Sequence, residues 1–92
     1  MMPKIIMYYS ERCPYCQRAE KLLKKKALKV TRIRIDSNRA RLREMINRSG
    51  RDTVPQIFIA DRHIGGFDEL AKLEKAGTLD TLLQAPRNRS KS

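Results

Sequence analysis

The sequence has no tryptophan, and its aromatic residues number five: Tyr8, Tyr9, Tyr15, Phe58 and Phe67. A surface that grips single-stranded nucleic acid by stacking needs more rings, gathered on one face, so the composition does not point to nucleic acid as the partner. Cysteine is equally scarce, with two residues, whereas a disulfide-stapled secreted scaffold carries roughly four to eight. Those two and the single histidine, His63, also fall short of the four protein ligands of a structural zinc site, so no metal is expected. Long apolar runs are missing as well, and none approaches the roughly 18 residues of a membrane-spanning helix. The opening Ile5-Ile6-Met7-Tyr8-Tyr9 is too short for the apolar region of a secretory leader. It runs into Ser10-Glu11-Arg12 with no small-residue cleavage site. The expected location is the cytoplasm, with no membrane partner.

What the 92 residues do have is an apolar fraction of 40%, enough to fill one core but not two. They also carry charge of one sign. Lys and Arg number 21 against 10 Asp and Glu, a formal net charge of +11. The excess is confined to residues 1–51, with 15 basic residues against 4 acidic, while residues 52–92 hold 6 of each. Such asymmetry draws acidic proteins, nucleic acid or small anions, and the sign alone does not choose among them.

Residues 4–9 are short, apolar and partly β-branched, the pattern of a buried strand. Pro14 suits the first turn of a helix, where its missing N–H costs nothing. From there Ala19, Leu22, Leu23 and Ala27 recur on one face, while Arg18, Lys21, Lys24 and Lys25 take the others. Lys24-Lys25-Lys26 falls near the C-terminal dipole end of this helix. Val30 to Ile35 alternates apolar and polar, a half-buried strand. Asp36-Ser37-Asn38 offers an N-cap for a second helix with core face Leu42, Met45 and Ile46, ended by Ser49-Gly50. Gln56 to Ala60 reads as a strand, Asp61-Arg62 as a tight turn and His63-Ile64 as a brief return strand. Leu70, Leu73, Leu79, Leu82 and Leu83 mark one or two terminal helices, split at Gly77. The predicted order is β-α-β-α-β-β-α, one α/β domain over residues 1–85. Its first crossover makes a parallel strand pair and its last two strands a hairpin. Residues 86–92 read as a basic tail, disordered by composition.

The chemistry is concentrated in Cys13-Pro14-Tyr15-Cys16, where the first strand gives way to the first helix. Two thiols at this spacing in a cytosolic chain mean redox work or metal, and the ligand count argues against metal. Cys13 falls at the helix N-terminus, where unpaired N–H groups and the positive dipole end favour a thiolate. Arg12 and Arg18 add positive potential. Cys16 lies one turn deeper, within reach for a bridge. A more acidic thiol gains thiolate but loses intrinsic nucleophilicity, with a Brønsted slope of about 0.4–0.5, so attack itself gains little. The larger benefit is as a leaving group when a mixed disulfide is broken. Cys13 and Cys16 are therefore the candidate catalytic pair of a thiol–disulfide exchange reaction.

Thr53-Val54-Pro55 precedes the third strand. A proline there removes a ladder donor and confines that end of the strand to a sheet edge. With a cis Val54–Pro55 bond, the Val54 N–H and C=O would face outward and could pair with an extended peptide. The residues alone leave cis and trans open. In Gly65-Gly66-Phe67-Asp68-Glu69 the glycines allow a positive-φ turn and close backbone approach, and Asp68 is placed to cap the next helix. Exposed N–H groups here can hold a carboxylate and Asp68 an ammonium, the two ends of an α-amino acid. Taken alone, the pentapeptide fits a plain turn and cap better.

Together, Cys13-Pro14-Tyr15-Cys16, Thr53-Val54-Pro55-Gln56-Ile57-Phe58-Ile59 and His63-Ile64-Gly65-Gly66-Phe67-Asp68 resemble the signature of the dithiol glutaredoxins. The similarity is closest to the short bacterial glutaredoxin-3 type and covers residues 4–84. It implies a thioredoxin-like fold, a four-stranded mixed sheet flanked by helices, with a cis bond at Pro55. It implies an enzyme, a glutathione-dependent oxidoreductase acting on protein disulfides and protein–glutathione mixed disulfides, with glutathione as reductant. By the resemblance, Cys13 attacks and carries the glutathione mixed disulfide, and Cys16 resolves it. Tyr15, Thr53, Val54, Pro55, Gly66, Phe67 and Asp68 match the positions of the glutathione groove. Val54 would pair with the Cys-Gly backbone and Asp68 would hold the γ-glutamyl end. Two positions depart from the pattern. Ser10 stands where the family usually has Lys, with Arg12 as the replacement charge, and Phe67 takes the place of a small residue. Arg41 is assigned to the polar position expected near Leu42. The implied partners are glutathione and disulfide-containing or glutathionylated proteins, and the chain is expected to be a monomer. A redoxin served by thioredoxin reductase, an iron–sulfur carrier, and a nucleic-acid or acidic-surface binder are the alternatives.

Overall fold

The computed structural model describes residues 4–26 and 28–84. Ala27, and residues 85–92 with the basic tail, lie outside the described residues. The elements are β1 (Ile5–Tyr9), α1 (Pro14–Lys25), β2 (Thr31–Arg34), α2 (Arg39–Ser49), β3 (Gln56–Ile59), β4 (Arg62–Gly65), α3 (Phe67–Lys75) and α4 (Thr78–Gln84). The terminal leucines thus form two helices. Gly77, at φ 78°, makes the break that L side chains resist.

The sheet order is β2-β1-β3-β4, with β1 parallel to β2 and antiparallel to β3, and β3 antiparallel to β4. β3 is therefore internal, contrary to the edge position expected from Pro55. The proline stands one residue before the strand begins and so removes no ladder donor. The β3–β4 turn also falls one residue earlier than expected. Ala60 and Asp61 both have positive φ, 51° and 68°, the pairing of a tight turn whose twist matches that of the strands.

Alternation along the strands sorts the core into two layers. Ile5, Met7, Ile57 and Ile59 pack with Ala19 and Leu23 of α1, Leu70 of α3 and Leu79 of α4. Tyr8 and Phe58 face the other way and meet Met45 of α2. Ile46, placed on the core face by its spacing, is 37% exposed. One helix covering a narrow sheet buries only a thin stripe, which Leu42 and Met45 fill. Of the three cap candidates, Asn38 is the one used, its side chain accepting the Arg41 N–H at 3.1 Å. The buried Tyr8 hydroxyl bonds to the Glu44 carboxylate and accepts from Arg48 at 2.8 Å, tying α2 to β1. Lys26 reaches Glu74 at 2.9 Å and Asp80 at 2.6 Å, joining the end of α1 to α3 and α4. Among the described residues no helix is long and apolar enough to cross a membrane.

Candidate active site

The turn after β1 delivers Cys13 to the N-cap of α1, with φ −100° and ψ 109°. Its sulfur accepts the Cys16 N–H at 3.2 Å. Pro14 opens the helix and the first turn holds no acidic residue. Both cysteines are free thiols, Cys13 partly exposed and Cys16 buried. Burial pushes the Cys16 thiol up to about 12, and its hydrogen bond to Cys13 acts in the same direction, while a backbone hydrogen bond from Ser10 opposes both. The pair is thus asymmetric, with one sulfur at the surface and one held protonated beneath it.

The Cys13 thiol lies 3.6 Å from the Val54 carbonyl oxygen, which links the cysteine motif to the loop before β3. The Val54–Pro55 bond is cis. Among the described residues no backbone–backbone hydrogen bond engages Val54. A groove of about 220 Å³ opens on this loop. Tyr15, Thr53, Val54, Pro55, Gly66, Phe67 and Asp68 line it, joined by Arg51, Gln56 and Glu69. Seven of the predicted groove residues therefore meet in one place. Arg12 is exposed and is not among the lining residues. Arg41 is not among them either, and instead pairs with Glu44 at 2.8 Å on α2.

The start of α3 differs from expectation. Gly66, not Asp68, is the N-cap of α3, and Asp68 is the exposed second residue of the helix. The Glu69 carboxylate folds back to accept the Gly66 N–H at 2.7 Å, so that donor is already occupied. This hydrogen bond, with the Arg51 guanidinium at 3.4 Å, holds the Glu69 carboxyl below the usual carboxylate range. The tight turn needs its glycine. Gly65 has φ 120°, and a Cβ there would sit 2.8 Å from Glu69 Oε1.

A second cavity of about 670 Å³ adjoins Phe67, with Leu22 as further apolar lining and Arg18, Lys21, Lys24 and Lys25 around it. Phe67 lines both spaces and lies 6.3 Å from the Tyr15 ring, which is 52% exposed. Among the described residues no group of three His, Cys, Asp or Glu side chains is placed to hold a metal ion.

The family profile for glutaredoxin matches residues 5–64, more than half of the chain. The chain belongs to the glutaredoxin family. Glutaredoxin 3 of Escherichia coli K12 is 51% identical over 83 residues, covering 90% of this chain and 100% of its own length. The solution structure of glutaredoxin from Brucella melitensis is similar with a TM-score of 0.80 at 44% identity, covering 90% of both chains. The crystal structure of a buckwheat glutaredoxin–glutathione complex gives a TM-score of 0.80 at 27% identity, covering 88% of this chain and 76% of that one. The fold is thioredoxin-like, the type is that of the bacterial glutaredoxin 3, and the activity is glutathione-dependent thiol–disulfide oxidoreduction, with glutathione as reductant.

In this glutaredoxin, sequence reasoning missed Arg51 and Glu69. A glutamate three residues after a helix cap is a legible signal. Here the cap is a glycine with no side chain to announce it, and Asp68 offers itself as the more familiar capping residue.

Proposed function

We propose that Cys13 is the attacking thiol, Cys16 the resolving thiol, and the 220 Å³ groove the seat of glutathione. The observation that carries this reading is the contact of the Cys13 sulfur with the Cys16 N–H at 3.2 Å and with the carbonyl of the groove-lining Val54 at 3.6 Å. In deglutathionylation the Cys13 thiolate attacks the glutathione sulfur of the mixed disulfide. The protein sulfur leaves and takes up a proton, and Cys13 carries glutathione. A second glutathione thiolate attacks that sulfur, giving glutathione disulfide and returning Cys13 as thiolate. With a protein disulfide, Cys13 forms the mixed disulfide and Cys16 attacks it after losing its proton. The reduced protein is released, and two glutathiones reduce the Cys13–Cys16 bridge.

In the groove, the Val54 backbone, which has no backbone partner among the described residues, receives the Cys-Gly part of glutathione as a short added strand, and Asp68 receives the γ-glutamyl ammonium. Tyr15, Thr53, Pro55, Gly66 and Phe67 shape the walls, and Arg12 contributes charge from outside. The cationic cavity beside Phe67 attracts acidic segments of the protein substrate. The reaction belongs in the cytoplasm and the chain acts as a monomer on glutathionylated or disulfide-bonded proteins.

The test is turnover of a small glutathione mixed disulfide, coupled to glutathione reductase and NADPH, with the parent, Cys13→Ser and Cys16→Ser. The parent and Cys16→Ser are expected to turn over, and Cys13→Ser to be inactive. Insulin reduction is expected to fail in both variants. Activity in Cys13→Ser, or its loss in Cys16→Ser, overturns the assignment.

A further inference from the structure

We infer that His63 is a positioning residue for the glutathione groove, holding the Gln56 side chain and, through it, the Thr53 loop. The inference rests on the groove being the glutathione seat. In the β3–β4 ladder Ile57 faces Gly65 while Phe58 faces His63, so Ile64 has no partner of its own. An extra residue of this kind is a bulge, which turns the neighbouring side chains. Counted from the Ala60-Asp61 turn, Ile59 faces Arg62 and Phe58 faces His63 in regular register, with the Phe58 and His63 ring centroids 5.0 Å apart, and the bulge lies beyond this pair. Gln56, two residues before Phe58, shares that face.

Gln56 is a fully buried polar side chain inside a β-strand, a costly placement unless every polar atom is paired. Its amide nitrogen donates to the Thr53 carbonyl at 2.9 Å and to the Thr53 hydroxyl at 3.3 Å. Its amide oxygen lies 2.7 Å from His63 Nε2. The Thr53 carbonyl can only accept, which turns the amide nitrogen toward Thr53 and the amide oxygen toward His63. His63 Nε2 must then carry the proton. The chain of donors runs in one direction, from His63 to Gln56 to Thr53, and ends in the groove beside Val54, whose carbonyl meets the Cys13 thiol. His63 itself is not among the residues lining the groove. Burial and the nearby Arg51 keep its imidazole neutral to a lower pH than usual, with Glu69 opposing. Nε2 bears a proton in the imidazolium as well, so the hydrogen bond survives protonation.

Removing the imidazole leaves the buried Gln56 oxygen without its donor. The amide then gains by rotating toward any other donor, and Thr53 loses its pin. His63→Leu is expected to raise KM for a glutathione mixed disulfide about fivefold, the scale of one lost buried hydrogen bond, with kcat within about twofold. His63→Gln, whose longer amide can return an N–H to the same place, is expected to recover most of that loss. Neither variant is expected to move the pH profile of kcat. In the unmodified protein, nitrogen-15 NMR is expected to find His63 protonated at Nε2 and bare at Nδ1 at neutral pH. This last measurement needs no variant to fold and no turnover, so it stands apart from the glutathione assay. A proton on Nδ1, an unchanged KM in folded His63→Leu, equal KM values in the two variants, or a shifted pH profile would each overturn the inference. Lack of turnover by the parent would instead remove the glutathione reading.

Discussion

The asymmetry of the two thiols can be tested by alkylation of the reduced protein. Cys16 is 2% exposed, and burial, with Cys13 as hydrogen-bond partner, pushes its thiol from an ordinary 9.0 to about 12. At pH 7.5 that leaves roughly a thousandfold less thiolate than an ordinary cysteine has. A less acidic thiolate is the better nucleophile, and a Brønsted slope of about 0.4–0.5 returns roughly 15–30-fold of the loss. The net expectation is alkylation of Cys16 about fifty-fold slower than an ordinary thiol, before the steric cost of reaching a buried sulfur. Cys13 and Cys16 share the tryptic fragment 13–18, between Arg12 and Arg18, so fragmentation of that peptide after timed iodoacetamide treatment places each label. The first label is expected on Cys13. In urea the barrier is removed, and Cys16 is expected to react as fast as free cysteine. Cys16 labelled in the folded protein at its urea rate would refute the reasoning, because neither burial nor a raised thiol would then be protecting it. The consequence for catalysis is specific. Under the roles proposed above, a resolving thiol that stays protonated at rest does not compete for substrate, and it becomes reactive only when Cys13 is already bonded and Cys16 can lose its proton.

Two further predictions concern charge. The Glu69 carboxyl is held below its usual range by the Gly66 N–H and then by Arg51, so the stability it contributes is present above the unfolded value of about 4.3 and is lost as pH falls through the lower folded value. Glu69→Gln keeps an acceptor but removes the charge, and melting curves from pH 7 to 3 should lose that part of the acid limb; an unchanged limb would mean that the cap does not depend on ionisation. Replacing Lys21, Lys24 and Lys25 together with Gln is expected to lower kcat/KM for an acidic glutathionylated peptide about three- to tenfold at low salt, with the difference closing near 0.5 M salt. Equal losses on acidic and basic peptides would show that the lysines attract glutathione rather than the protein substrate.

Much of this molecule is written locally, and the sequence yields it for that reason. The strand at β1, the N-cap position of Cys13, the Asn38 cap and the tight turn near Gly65 each depend on residues within a few positions of one another. The position of β3 is different. Pro55 at the head of an apolar run argues for an edge, but the sheet order depends on what covers Ile57 and Phe58 on both faces, and those partners come from α1, α2 and α3, remote in the chain. A proline one residue outside the ladder costs an internal strand nothing, and no local rule separates that case from an edge. Ile46 shows the same limit. Its spacing is that of a core residue, yet how wide a stripe α2 buries is set by the breadth of the sheet beneath it.

The functional site divides along the same line. Its reacting atoms and most of its walls come from three short motifs that carry their own geometry. What holds those motifs in register is carried by pairs distant in sequence or hidden by residue type. Glu69 caps a glycine and so leaves no capping motif to read, while Arg51 reaches it from 18 residues away. His63 reaches Gln56 across the hairpin, from the register that the tight turn at Ala60-Asp61 sets, and no motif joins the two residues. The reacting thiols of the proposed site are therefore legible in the motifs, whereas the contacts that join the motifs are not.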